Sequence, residues 1–137
     1  MRNRNIFGPP GIAYVYLSYG THNLLNVVCE PEGVGSAVLI RALRPEEGEE
    51  LMAGRRGRSR DLCNGPGRLT QALGIDLAYD GHNLTSSPLT ISEGRRPGGI
   101  VETTRIGISR GTDLPWRYLV EGDRNVSVPP KVIAGRR

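Results

Sequence analysis

Aromatic side chains suited to ligand contact are concentrated near the N-terminus of this chain. Three of its five tyrosines, Tyr14, Tyr16 and Tyr19, fall within the stretch AYVYLSYGTHNLLN. Tyrosine joins an apolar ring to a polar hydroxyl, so it suits both buried strands and wet binding surfaces. Strand alternation predicts that Tyr14 and Tyr16 share one face, with Tyr19 beside a turn. We interpret Tyr14 as a core residue, whereas an aromatic ring beside a turn of a basic protein could stack on a nucleic-acid base.

Arg41 is the second residue whose chemistry requires an explanation, because it interrupts the apolar run AVLIRAL. A charged side chain within an apolar segment is costly unless it is paired or hydrogen-bonded. Two interpretations are open. Arg41 either serves a functional site or lies on the wet face of a half-exposed strand.

The segment NGPGRL, residues 64–69, combines a tight turn with the start of a predicted short helix. Backbone N–H groups at a helix N-terminus bind anions. Gly65, Gly67 and Arg68 therefore form a candidate phosphate-binding site. Taken alone this indication is weak, because Gly-Pro turns commonly begin helices.

A β-hairpin and a third strand are predicted to position the tyrosines and Arg41. The β-branched and aromatic run 12–19 and the apolar run 24–30 flank a short loop, which is typical of a hairpin. Residues 35–43 predict the third strand. Further short strands are predicted toward the C-terminus, at residues 89–94, 105–111, 116–122 and 125–130.

Two helices are predicted between the third strand and these later strands. Residues 44–56 begin with Pro45 and glutamates and end on Arg55 and Arg56, the order that a helix dipole favours. Residues 68–75 predict the short helix after the glycine-rich turn. The pattern indicates an α+β fold with an antiparallel sheet, and we expect one domain over residues 1–137.

Composition excludes several classes of protein. No apolar run approaches the roughly 18 residues that a membrane helix needs, and the N-terminus has no apolar core of signal-peptide length. We therefore expect a cytoplasmic protein that does not bind membranes. Cys29 and Cys63 are the only cysteines and are interpreted as reduced thiols. Neither His22 nor His82 has a metal-ligand spacing, so no metal is expected.

The positive charge of this chain comes almost entirely from arginine. Net charge is +4, and Lys131 is the only lysine among 18 basic residues. Arginine forks suit phosphate oxygens, so a nucleic-acid partner is permitted, although a GC-rich genome produces the same bias. An internal amine for Schiff-base catalysis would have to be Lys131.

These features, in this order and spacing, resemble the alkyladenine (3-methyladenine) DNA glycosylases. The resemblance runs over nearly the whole chain. The matching blocks are RNRNIFGPPGIAYVYLSYGTHNLLNVV (2–28), AVLIRALRPEEGEELM (37–52), LCNGPGRLTQALGID (62–76), TRIGISRG (104–111) and WRYLVEG (116–122). The resemblance implies a curved antiparallel sheet with a protruding hairpin and a few packed helices. It implies a monomer that needs no cofactor, flips a damaged purine out of double-stranded DNA and hydrolyses its N-glycosidic bond. Such an enzyme would associate with the bacterial nucleoid.

The resemblance also implies a role for individual residues. Tyr19 would be the wedge that enters the minor groove and fills the vacated stack, and Tyr16 would stack on the flipped base. Asn26 would exclude the exocyclic amine of normal guanine. Arg41 and the backbone carbonyl of Ile106 would hold the attacking water.

One part of the family pattern has no match in this sequence. The family carries its catalytic glutamate in a Glu-x-Glu-Ala-Tyr strand upstream of the RNRN block, and this chain begins one residue before that block. That glutamate, the strand's tyrosine and a pocket histidine are absent, and Glu102, in VETTRIG, does not occupy the corresponding place. We therefore expect the C-terminal two-thirds of a glycosylase, with doubtful activity on its own. The alternatives are a non-catalytic module that binds lesions or abasic sites, and a domain with no function left.

Overall fold

The structure, a computed structural model, describes residues 4–126. These residues belong to two compact units, and the boundary along the chain lies between Glu93 and Gly94. Within the described residues, the first unit holds three strands and all four helical segments, and the second holds a two-stranded sheet. The elements, in chain order, are a 3-10 turn Arg4–Phe7, β1 Ala13–Ser18, β2 His22–Val28, β3 Ala37–Leu39, α1 Glu49–Arg56, α2 Pro66–Leu73, a 3-10 turn Leu77–Tyr79, β4 Ile100–Thr103 and β5 Arg117–Val120. The predicted α+β class is confirmed, while the expectation of one domain over residues 1–137 stays a prediction.

The predicted hairpin is confirmed and its register is regular. Strands β1 and β2 pair antiparallel from Ala13 opposite Val27 to Ser18 opposite His22. The turn between them is closed by the Thr21 N–H, which donates to the Ser18 carbonyl at 3.1 Å. Positive φ at both central residues of such a turn gives the backbone twist that matches the twist of paired strands. The hairpin is therefore specified locally, by the alternating strands and by the turn.

The third strand is shorter than predicted. β3 pairs antiparallel with residues Asn26 to Val28 of β2 and ends at Leu39, although residues 35–43 were expected to be extended. One further bond, from the Ile40 N–H to the Leu25 carbonyl, keeps the next residue against β2. Beyond it the chain turns toward another partner, since the Leu43 N–H donates to the Cys63 carbonyl.

Both predicted helices are present, with different bounds. α1 begins at Glu49 rather than at residue 44, because Gly48 has φ +77 and cannot continue a right-handed helix. Its first turn is acidic and its last turn is basic, so the predicted dipole order is confirmed. α2 begins two residues earlier than expected, with Pro66 in its first turn, and it ends before Gly74, whose φ of +69 stops it.

The core of the first unit lies on one face of the sheet. Ala13, Val15 and Leu25 point to that face and pack against Ile75 and Leu84. A second cluster, formed by Leu62, Cys63, Leu69 and Ala72, joins α2 to α1. Alternation places Tyr14, Tyr16 and Asn26 on the opposite face of the sheet. The sheet thus separates an apolar core from a face that carries aromatic and amide groups.

In the second unit, β4 and β5 pair antiparallel, from Ile100 opposite Val120 to Thr103 opposite Arg117. The strand predicted over 116–122 is confirmed as β5. The strands predicted over 89–94 and 105–111 are wrong: the first has no paired neighbour among residues 4–126, and Gly107 and Gly111 have positive φ within the second. Residues 125 and 126 are not extended, and the rest of the predicted strand 125–130 lies outside the described residues.

Neither of the two α-helices in the described part of the chain is long and apolar enough to cross a membrane.

Candidate functional site

Tyr19 stands at the tip of the hairpin, almost entirely in solvent. Its side chain is 95% exposed, the most exposed of the large hydrophobic residues in the described range. Its backbone has φ +52, a left-handed conformation that costs most L residues about 1–2 kcal/mol and that glycine, asparagine or aspartate adopts more easily. An exposed aromatic ring on a strained backbone is poorly explained by folding stability. It is consistent with selection for contact with another molecule.

Tyr14 and Tyr16 lie side by side on the polar face of the sheet. Their ring centroids are 5.3 Å apart, with an interplanar angle of 32°. Tyr14 is 8% exposed, so it is buried as predicted, although on the face opposite the main apolar cluster, whereas Tyr16 is half-buried. Tyr14 therefore supports the ring of Tyr16 from one side and leaves part of that ring accessible.

Asn26 is buried on the same face as the two tyrosines. It lies directly opposite Tyr14 in the β1–β2 register, and its exposed fraction is 7%. Its Nδ2 group donates a hydrogen bond of 3.3 Å to the Tyr14 carbonyl. This bond fixes the orientation of the side chain, so the structure brings Tyr16 and an immobilised amide together on one face.

Arg41 does not lie within a strand. It is half-buried, two residues beyond the end of β3, so the interpretation as a residue on the wet face of a strand is wrong. The Ile40 N–H bond to Leu25 holds the preceding residue against β2, which keeps Arg41 close to the sheet. Ile106 is half-buried in the second unit, and its carbonyl's role in holding water stays a prediction.

The glycine-rich turn has the geometry expected of an anion-binding helix start. Gly65 is extended at the N-cap of α2, and the first N–H groups of a helix have no intrahelical acceptors. The Arg68 guanidinium donates to Asn64 Oδ1 at 2.9 Å, which holds it beside the turn. Gly67 faces the hairpin: a Cβ atom added there would lie 3.0 Å from Nδ1 of His22.

Arginines of α1 stabilise the region around α2. Arg55 donates to the Ala72 carbonyl at 3.0 Å, near the negative end of the α2 dipole. Arg56 donates to the carbonyls of Leu62 and Asp61 and to the side chain of Gln71. Burial lowers the pKa of Arg56, and the positive charges of Arg58 and Arg68 lower it further. Arg56, Arg58 and Arg68 are therefore close enough for their charges to interact, and Arg56 also holds the loop before α2 in place through its hydrogen bonds.

Two polar contacts that anchor the hairpin were not predicted from the sequence. Thr70 Oγ1 donates to the Asn23 carbonyl at 2.7 Å, across 47 positions of the chain. Asp80 Oδ1 accepts a 2.9 Å bond from the Val15 N–H at the outer edge of β1. The only signal in the sequence was a hydroxyl residue at an otherwise apolar position of α2, Thr70 beside Leu69.

A shallow cleft of about 240 Å³ lies where the hairpin meets α2. Its lining residues are Thr21, His22, Asn23, Gly67, Thr70, Gln71 and Ile75.

Among residues 4–126, no three His, Cys, Asp or Glu side chains converge as ligands of a metal ion.

The chain matches a family model over residues 1–124, and that model describes the methylpurine-DNA glycosylases. The chain belongs to this family. The resemblance stated from the sequence motifs is thereby confirmed.

Three relatives illustrate the similarity of the chain to the family, and each bears the name "Putative 3-methyladenine DNA glycosylase". A protein of Rubrobacter xylanophilus is 67% identical over 138 residues, which cover 99% of this chain and 72% of the relative. One of Rhodopseudomonas palustris strain HaA2 is 54% identical over 132 residues, covering 95% and 66%. One of Methanoculleus marisnigri is 48% identical over 133 residues, covering 92% and 69%. The chain thus spans about two thirds to three quarters of the length of these family members.

Proposed function

We propose that this chain acts in base-excision repair as a monofunctional DNA-3-methyladenine glycosylase. It binds double-stranded DNA at the nucleoid, flips an alkylated or deaminated purine out of the helix and hydrolyses the N-glycosidic bond. The observation that carries the proposal is the hairpin, which presents Tyr19 at its tip and Tyr16 with Asn26 on one face of its base. Membership in the methylpurine-DNA glycosylase family supports the same activity.

Tyr19 is the wedge of the proposed mechanism. Extruding a base costs a few kcal/mol, least for a damaged or mispaired one. Stacking of a base on an aromatic ring returns about 1–3 kcal/mol. The ring of Tyr19 is 95% exposed before binding, so nearly all of its surface is available to be buried in the vacated stack.

Tyr16 and Asn26 form the pocket that receives the extruded purine. The half-buried ring of Tyr16 is held from behind by Tyr14, so it offers a flat stacking surface without losing much side-chain entropy. Asn26 is fixed by its bond to the Tyr14 carbonyl and cannot move aside for a larger purine edge. An immobile amide at this place disfavours normal guanine, whose exocyclic amine would require additional room.

The turn before α2 binds the DNA backbone. The N–H groups that follow Gly65 point out of the helix start, and Arg68 adds a positive charge in the first turn. Gly67 contributes one of these N–H groups, and its lack of a side chain leaves room for His22 of the hairpin. Phosphate contacts of this kind position the protein on the duplex without reading its sequence.

The reaction itself is a hydrolysis, in which water attacks the anomeric carbon and the purine leaves. By the family resemblance, Arg41 helps to hold that water. A general base accelerates such a step by about 10²–10⁴-fold. The glutamate that supplies it in the family pattern has no counterpart in the 137 residues. Lys131, the only lysine, lies outside the described residues, and hydrolysis by water needs no amine.

A single-turnover assay tests the proposal. The chain is incubated in excess with a duplex that carries one hypoxanthine, and abasic sites are then cleaved with alkali. Excision above the level of a Tyr16→Ala control, with no strand cleavage before alkali, supports the proposal. Excision would mean that a carboxylate within these residues serves as the base.

A binding assay on the same duplex separates the alternatives. Lesion-selective binding without excision would identify a non-catalytic recognition module instead of an enzyme. Equal binding to damaged and undamaged duplexes, with no excision, would refute the proposal. Folding of each sample is verified by circular dichroism, so that an unfolded protein is not mistaken for an inactive one.

A further inference from the structure

Thr70 is a buried polar residue that none of the roles described above employs. Its exposed fraction is 2%, and its hydroxyl lies 2.7 Å from the Asn23 carbonyl and 3.0 Å from the Gly67 carbonyl. Threonine hydroxyls inside helices often bond to a carbonyl of the preceding turn. The contact between the Thr70 hydroxyl and the Gly67 carbonyl is of that kind. The shorter contact, with the Asn23 carbonyl, joins α2 to the hairpin.

The Asn23 carbonyl belongs to a part of β2 that, among the described residues, has no paired strand on the β3 side. Carbonyls two residues apart in a strand point to the same edge, and the Leu25 carbonyl accepts from the Ile40 N–H on the β3 side. The Asn23 carbonyl therefore points to the β3 side as well. β3 pairs only with Asn26 to Val28, so within residues 4–126 no strand reaches Asn23 on that edge. The Thr70 hydroxyl takes the place of the missing strand.

A second contact joins the same two elements. The side chain of His22 packs on Gly67, where an added Cβ atom would lie 3.0–3.2 Å from the Nδ1, Cγ and Cβ atoms of His22. His22 and Asn23 follow the hairpin tip, and Gly67 and Thr70 belong to the first two turns of α2. The tip of the hairpin is thus attached to the start of α2 by one hydrogen bond and one packing contact.

We propose that Thr70 is a positioning residue for lesion recognition. Its hydroxyl, acting through the Asn23 carbonyl, sets the position of Tyr19 relative to the first turn of α2. The wedge then enters the stack at a fixed distance from the phosphates that this turn binds. Thr70 itself touches no DNA. This inference rests on the proposed function, and it adds that the wedge and the phosphate-binding turn act as one rigid body.

The test compares three variants for their affinity to two duplexes. One duplex carries a tetrahydrofuran analogue of an abasic site, and the other is undamaged. Thr70→Val removes the hydroxyl and keeps the shape, and Thr70→Ser keeps the hydroxyl. Cys63→Ala is the matched control, because Cys63 is buried in the cluster with α1 and not beside the hairpin. Fluorescence anisotropy gives both affinities at a temperature at which every variant is folded.

We expect Thr70→Val to lower the preference for the abasic duplex by about three- to tenfold, the factor that corresponds to one hydrogen bond. Thr70→Ser should restore the preference of the unchanged chain, and Cys63→Ala should leave it unaltered. A purely structural role would weaken binding to both duplexes equally. In a Tyr19→Ala background, Thr70→Val should cause no further loss of preference, since the two residues act through one wedge.

The outcomes distinguish the inference from the function on which it rests. If the unchanged chain has no preference for the abasic duplex, the inference is overturned, whereas the hypoxanthine excision assay decides the proposed function. If it has a preference and Thr70→Val retains it, only the inference is overturned. Should Thr70→Val fail to fold, Thr70→Ala removes the same hydroxyl with a smaller side chain, and the same criterion applies to it.

Discussion

Replacement of Tyr19 should separate DNA binding from folding stability. The side chain is 95% exposed, so Tyr19→Ala removes almost no buried surface and should change the free energy of unfolding by less than about 0.5 kcal/mol. In the complex, the same change removes one aromatic stack, worth about 1–3 kcal/mol. Affinity for a duplex with an abasic-site analogue should therefore fall by about five- to 150-fold.

Tyr19→Gly should change stability and DNA binding in opposite directions. Because Tyr19 has φ +52, glycine relieves a conformation that an L residue adopts at a cost, while it adds entropy to the unfolded chain. We expect the glycine variant to be more stable than the unchanged chain by about 0.5–1 kcal/mol. It should nevertheless bind the abasic duplex as weakly as the alanine variant.

Thermal denaturation and fluorescence anisotropy measure the two quantities on the same samples. Tyr19→Phe keeps the ring and should bind normally. Tyr118→Ala is the matched control, because Tyr118 is also an exposed tyrosine, at 63%, on β5 of the second unit. The reasoning is refuted if Tyr19→Ala binds as tightly as the unchanged chain, or if Tyr118→Ala loses as much affinity.

Three further perturbations address the thiols, the hairpin edge and the glycine-rich turn. Burial raises the pKa of Cys63, so a thiol reagent should label one cysteine, the exposed Cys29, in the native protein and two in denaturant. For the same reason the contribution of Cys63 to the free energy of unfolding should be constant below about pH 9 and fall as pH rises further, measured as the difference between the unchanged chain and Cys63→Ala, and a rise would contradict the assignment. Asp80→Ala leaves the Val15 N–H without its charged acceptor and should lower the free energy of unfolding by about 1.5–3 kcal/mol in urea denaturation, and an unchanged midpoint would argue against that anchor. Arg68→Gln should reduce the slope of log affinity against log salt by about 0.9, and an unaltered slope would remove Arg68 from the phosphate-binding site.

Local sequence patterns were sufficient for the elements whose stabilising contacts lie close in the chain. The hairpin was predictable because alternating side chains and a short turn place both strands within 16 residues, Ala13 to Val28. The presence of α2 was predictable from the glycine-rich turn before it, although both of its ends were predicted two residues too late, because Pro66 begins the helix and Gly74 stops it. Prediction from patterns was less accurate for α1, whose start depends on the left-handed backbone of Gly48 and not on the glutamates before it.

Of the two strands in the second unit, β5 was predicted, whereas β4 was missed because it needs a distant partner. β4 has four residues, Ile100–Thr103, without clear alternation, and it is defined by pairing with β5 about 17 positions later. The segment 105–111 has the composition of a strand. Gly107 and Gly111 turn the chain there, and nothing in a composition shows which glycine will adopt positive φ.

The family, the hairpin and the residues presented along it could be predicted from the sequence, since motif spacing and alternation are properties of contiguous residues. How the hairpin is held depends on contacts between residues far apart in the chain. The bond from Thr70 to Asn23 spans 47 positions, and the bond from Asp80 to Val15 spans 65. Both bonds satisfy backbone groups at the edges of the sheet. A local sequence pattern does not show which of these groups remain unpaired, because that depends on where each strand ends and on which elements pack beside it.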